Sequence, residues 1–163
     1  GKNGKSTYIE VSLPIASGTM YHVDIFKKNG FFDEDYFVDH FESDFNLRLR
    51  QKKIKIFLNS NCVMTHSLGE RTPVRVLGIV FYPMGHTPLR KYYLYRNKCY
   101  LIARYGAAIP SLIMFEALAS ILDVARILLC EDQKRKKICM LIKGIIGFFR
   151  GETGEVPAHL VGK

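Results

Sequence analysis

The four cysteines, at positions 62, 99, 130 and 139, include no close pair and no CxxC. That spacing argues against structural zinc, whose ligands come in tighter pairs, and against a disulfide framework. Free, buried thiols in a reducing compartment are expected instead. Uncharged apolar length is also lacking. The most apolar stretch, 107–130, is interrupted by Glu116, Asp123 and Arg126, which leaves no 18-residue uncharged span for a conventional membrane-spanning helix. No basic segment followed by an apolar run opens the chain, so no signal peptide is expected. It opens on GKNGKSTYIE, without an initiator Met, as a piece of a longer protein would. No internal repeat occurs, which excludes a repeat array. Acid is absent from Arg71 to Arg104, where seven basic residues are interleaved with aromatics.

What is present fits one hydrophobic core rather than disorder: 163 residues, 48% apolar and 24% charged. The net charge of +9 lies wholly in the second part of the chain. Residues 1–70 hold nine basic and nine acidic side chains, whereas 71–163 hold fifteen and six. Such an imbalance implies an anionic neighbour: a phosphate-bearing ligand, an anionic lipid surface or nucleic acid.

Hydrophobic spacing sets out the elements. Ile9, Val11, Leu13 and Ile15 alternate with polar residues and Pro14, predicting a half-buried edge strand over 8–16. Met20, Val23 and Phe26 share a helical face that ends at Gly30, a C-cap residue. An aromatic and acidic loop, 31–40, leads into a helix near 42–51 with Phe41, Phe45 and Leu49 on one stripe. Period-two spacing returns at Ile54, Ile56 and Leu58, a second strand over 54–64. LRKYYLYRNKCYLIARYG predicts a helix with aromatic and basic faces. Ala107–Cys130, and KRKK followed by ICMLIKGIIGFF, are candidates for amphipathic surface helices.

Acid concentrates at Asp39, Glu42 and Asp44. Asp39 and Glu42 converge at a helix N-terminus, where backbone amides favour negative charge. A carboxylate there serves as a general base toward a hydroxyl or simply caps a solvated helix. Asp44, about 200° round from Glu42, is four residues from Arg48 and suits a helix-supporting pair. His66, after a strand, suits a divalent metal, a phosphate or a structural place. His86 and Arg90, in one loop, suit a diphosphate or the capping of the next helix.

SGTMYHVDIFKKNGFFDEDYFVDHFESDFNLRLR, THSLGE and GHTPLRKYYLYRN follow one another in the order and spacing of family 2 glycosyltransferases. From about Pro14 to Asn97 the chain resembles the second half of these GT-A enzymes, most of all bacterial rhamnosyltransferases of O-antigen and surface-polysaccharide synthesis. The resemblance implies that Glu42 stands at the catalytic aspartate, with Asp39 and Asp44 at neighbouring acidic positions. His66 stands at the histidine that helps bind the divalent cation, Mn²⁺ or Mg²⁺. Ser17 and Gly18 would line the acceptor side, and His86 and Arg90 the donor diphosphate. Three departures accompany it. Glu42 is a methylene longer than aspartate, Phe41 replaces a frequent glutamate, and Lys53 replaces a turn glycine, so a reshaped turn is expected. The Asp-x-Asp element is absent, its nearest likeness being Asp33-Glu34-Asp35.

The resemblance therefore implies an α/β chain: part of a GT-A mixed sheet over 1–70, followed by a basic, aromatic, helical extension over 71–163. The implied activity is sugar transfer from a nucleoside-diphosphate sugar, dTDP-rhamnose or a UDP-sugar, to a lipid-linked saccharide acceptor. The N-terminal donor-binding half would be missing and activity alone incomplete. Cytoplasmic placement, peripheral at the inner face of the bacterial membrane, fits the anionic surface that the charge asks for. The competing class is a non-catalytic membrane-surface or partner-binding remnant. Stacking of single-stranded nucleic acid on the 71–104 aromatics is a third, without a supporting motif.

Overall fold

A computed structural model describes residues 8–65, 73–76 and 78–156. They form β1 (Tyr8–Val11), α1 (Val23–Asn29), α2 (Phe41–Gln51), β2 (Ile56–Asn59), β3 (Val74–Val76), β4 (Ile79–Phe81), α3 (Pro88–Tyr105), α4 (Pro110–Cys130) and α5 (Lys134–Phe149). The chain is α/β, but among the described residues the strands make two separate antiparallel pairs rather than one mixed sheet. It divides into two units. One takes the described residues up to Asp33 and from Phe41 to position 65; the other takes Glu34–His40 and the described residues from 73 onward. Glu34–His40 of the aromatic and acidic loop thus group with the second unit, although they lie before the expected division at 70/71.

In the first unit β1 pairs with β2, with Tyr8 opposite Asn59 and Val11 opposite Ile56. Both strands are shorter than the period-two pattern, and that pattern does not bury them: Ile9 is 48% exposed, and Phe57 and Leu58 are exposed too. Helix α1 is likewise shorter than expected. His22 caps it through Nδ1, which accepts from the Asp24 N–H, and Gly30 ends it at φ 78. Met20 lies outside the helix, 95% exposed, so the Met20–Val23–Phe26 face does not form. Phe26 alone packs, stacking on Phe31 and Phe45 at 5.5 and 5.0 Å. Phe32 and Tyr21 meet Phe45 edge-on, so an aromatic cluster supplies this unit's core. Phe45 and Leu49 are buried as their stripe predicts, and Leu47 is buried as well.

The turn after α2 overturns one expectation. Ile54 N–H donates to Leu49 O at 3.0 Å and Lys53 N–H to Arg50 O at 2.9 Å, with Lys53 at φ 58. This is the Schellman ending that glycine favours. The turn keeps the glycine-like shape and Lys53 adopts it.

In the second unit β3 and β4 form a hairpin that the sequence reading did not separate, with Gly78 at φ 82 in its turn. Thr87 caps α3 by accepting the Arg90 N–H at 3.2 Å, and Pro88 occupies the first turn, where a missing N–H costs nothing. Helices α3 and α5 pack closely. A Cβ at Gly144 would run into the Tyr92 carbonyl, and one at Gly147 would meet the Tyr92 hydroxyl. Tyr92, Tyr93 and Val156 are the buried centre, with Leu89 and Met140 against them.

Helix α4 is attached differently, through charge. Lys91 Nζ donates to Asp123 Oδ1 at 2.6 Å, and Lys98 Nζ lies 3.1 Å from Glu116 Oε2. The cations are seven residues apart on α3 and the acids seven apart on α4, an antiparallel register of two turns. Tyr95 Oη adds a bond to Asp123 Oδ2 at 3.2 Å. The acids that interrupt the apolar run therefore lie inside. The basic face expected of α3 reaches solvent only in part: Arg90 and Arg104 are exposed, whereas Lys91, Arg96 and Lys98 are buried. Among the cysteines the expectation of burial fails: Cys62 and Cys139 are exposed, and Cys99 and Cys130 half-buried.

Candidate functional site

In the first unit the acidic start of α2 contains two carboxylates with different places. Asp44 is fully buried, its Oδ2 3.0 Å from Arg48 Nε. Arg48 in turn donates to the carbonyls of Asn29 at 3.2 Å and Phe31 at 2.6 Å, and lies over the Phe45 ring. Asp44 thus orients an arginine that satisfies the end of α1, the helix-supporting place allowed by its spacing. Unlike the other acidic positions of the expected catalytic group, Asp39 and Glu42, its side chain is wholly buried. Glu42, in the same first turn, is half-exposed. One turn on, Asn46 is buried. It accepts from Tyr21 Oη at 2.6 Å and donates to Pro14 O at 3.0 Å. Burial first, with the Glu42 charge a smaller cause, pushes the Tyr21 hydroxyl above its ordinary range. Ser17 and Gly18 are exposed in the turn after β1, with Gly18 at φ 80 and Met64 beside it.

In the second unit Asp39 and Arg90, 51 residues apart, form a two-pronged ion pair: Arg90 Nη2 to Asp39 Oδ1 at 2.9 Å and Nε to Oδ2 at 3.2 Å. The backbone carrying Asp39 is strained. Val38 and His40 stand at φ 73 and 70, and Asp39 N–H closes a γ-turn on Phe37 O at 3.0 Å. A buried asparagine holds it there. Asn97 Nδ2 donates to the carbonyls of Phe37 at 3.1 Å and Asp39 at 2.8 Å. Arg96 Nη2 donates to the carbonyls of Asp35 and Gly154 at 3.3 and 2.8 Å, and Nε to Asn97 Oδ1 at 3.1 Å.

Two histidines share these surroundings. Burial pushes His40 below its ordinary range, with Lys98 acting the same way and Glu116 and Asp39 opposing. Burial, then Arg90 and Lys91, lowers His86. Both imidazoles are thus held neutral near neutral pH, and among the described residues His40 Nε2 and His86 Nδ1 are buried without hydrogen-bond partners.

The structure therefore brings together Asp39, His86 and Arg90 from the expected set. It adds Arg96 and Asn97, which spacing does not reveal because their loop partners lie 58 to 61 residues away, and the buried His40. Glu42, Ser17 and Gly18 belong to the first unit, and His66 lies outside the described residues. Among the described residues, no group of three His, Cys, Asp or Glu side chains is placed to hold a metal ion. Asp39 is engaged by Arg90.

Over 148 residues, 91% of this chain, the sequence is 28% identical to the dTDP-rhamnosyl transferase RfbF of Shigella flexneri. The chain spans about half that protein's length, 49%. This similarity makes the sequence glycosyltransferase-like. No protein-family model and no solved structure matches it.

Proposed function

We propose that this chain is part of a sugar transferase that takes rhamnose from dTDP-rhamnose, with UDP-sugars as the alternative donors, to a lipid-linked saccharide. The similarity across 91% of the chain to a dTDP-rhamnosyl transferase carries this reading. Under it, the chain contributes to a family 2, GT-A-type core, and donor binding is completed by sequence elsewhere in the whole protein.

Glu42 is the base. A half-exposed carboxylate in the first turn of a helix takes a proton from an acceptor hydroxyl within hydrogen-bond reach. Asp44 is a positioning residue through Arg48. Ser17 and Gly18 receive the acceptor. Arg90 has its charge matched by Asp39, so a donor diphosphate would compete with that carboxylate for the guanidinium. His86, neutral, donates a hydrogen bond rather than charge.

The test uses the chain joined to a nucleotide-binding half. Transfer from dTDP-rhamnose to a lipid-linked acceptor is measured for Glu42 and for Glu42→Gln, with folding checked by circular dichroism. A fall of about 10²-fold or more is expected. Equal transfer by the folded variant would remove Glu42 from the chemistry and favour the second reading, a non-catalytic surface-binding module. That reading draws on the outward apolar face of α4.

A further inference from the structure

We propose that α4 and the start of α5 dock the second unit onto an anionic lipid bilayer, with α4 lying in the plane of the interface. The proposal goes beyond the transferase reading and does not depend on it, because it rests on the way α4 is packed.

Helix α4 is amphipathic with its polarity turned inward. Two of its three charged residues, Glu116 and Asp123, are buried against Lys98 and Lys91, and Arg126 is half-buried. Its outward positions carry no charge. Met114, Phe115 and Ile121 are 76%, 62% and 65% exposed, and Leu118, Leu122 and Leu129 are about half exposed or more. A water-facing helix places charge outward. Contiguous apolar exposure on this scale marks an interaction surface. No described helix is long and apolar enough to cross a membrane. An in-plane position buries the outward face and keeps the charged pairs in protein.

The rim identifies the partner. At the α4–α5 junction Lys134, Arg135 and Lys136 are exposed, as is Lys143 further along α5. Glu131 is buried and neutralised by Lys137 at 2.7 Å, which leaves Asp132 as the acidic side chain on the exposed junction. Beside these cations lies an apolar groove of about 620 Å³, walled by Leu128, Ile138, Ile142 and Ile146, with Arg135 and Lys143 at its edges. Apolar surface bordered by cations of one sign complements acyl chains beneath anionic headgroups. A second copy of this chain would bring the same cations together and repel.

The test is co-sedimentation of the whole chain with phosphatidylcholine vesicles containing 0 or about 30% phosphatidylglycerol. Binding to the anionic vesicles is expected, weakening with salt. Leu118→Glu with Ile121→Glu changes outward residues and should retain the fold, checked by circular dichroism, while lowering partition at least tenfold. Arg135→Gln with Lys136→Gln should lower it about fivefold per charge on anionic vesicles, from about 1 kcal/mol per cation at the surface. Absence of vesicle binding by the folded chain overturns the proposal. So does equal binding by the Leu118→Glu, Ile121→Glu variant, or a dimer in sedimentation velocity that this variant disperses.

Discussion

Lys53 occupies a backbone position that a side chain fills at a cost. At φ 58 it ends α2 in the geometry that glycine adopts freely. The left-handed region costs an L-residue about 1–2 kcal/mol, while glycine gives back about 0.5–1 kcal/mol through its freer unfolded chain. Lys53→Gly is therefore expected to be neutral to stabilising by about 1 kcal/mol. Lys53→Val, branched at Cβ, should destabilise by more than about 1 kcal/mol. Urea unfolding measures both, and a less stable glycine variant would mean that the lysine side chain itself contributes. Val38 and His40 raise the same question at the candidate site, where Asn97 and Arg96 hold the strained loop from its carbonyl side.

At the scale of elements, α3 meets its two helical neighbours by opposite means. Against α5 it relies on small residues, since Gly144 and Gly147 let backbone and side chain approach without a Cβ. Against α4 it relies on long charged side chains. Lys91 has 0% exposure, so removing its partner strands a buried ammonium. Asp123→Ala should destabilise by about 3–5 kcal/mol, whereas Lys91→Met with Asp123→Leu should stay within about 1–2 kcal/mol of the parent or exceed it. Denaturant unfolding of the two singles and the double forms the cycle that separates these outcomes. If the double variant lost as much as Asp123→Ala, apolar replacement would not recover what the pair contributes.

At the scale of the molecule, the second unit couples stability to pH through His40 and His86. Both are lowered in the folded state, chiefly by burial. Below the ordinary histidine value of about 6.5 the unfolded chain takes up protons that the folded one refuses. Their contribution is complete above that value and lost as pH falls through the window below it. The urea midpoint should fall between pH 8 and 5.5, and His40→Asn with His86→Asn should flatten that fall. Asparagine also tolerates the left-handed backbone at position 40. An unchanged slope would place the proton uptake elsewhere.

Local chemistry determined much by sequence alone. The positions of α2 and α3, the Gly30 ending, the Phe45 and Leu49 stripe and the Asp44–Arg48 spacing are interactions within a few residues, and spacing encodes them. The sequence also singled out Asp39, His86 and Arg90. Tertiary structure alone decided that Asp39 and Arg90 share an ion pair and that Asn97 holds the loop, because those contacts cross 51 to 60 residues. It also decided which side of α4 faces inward. Periodicity marks an apolar stripe and a charged stripe but not which is buried. Lysines on α3 drew the acids of α4 inside and left its apolar face outward.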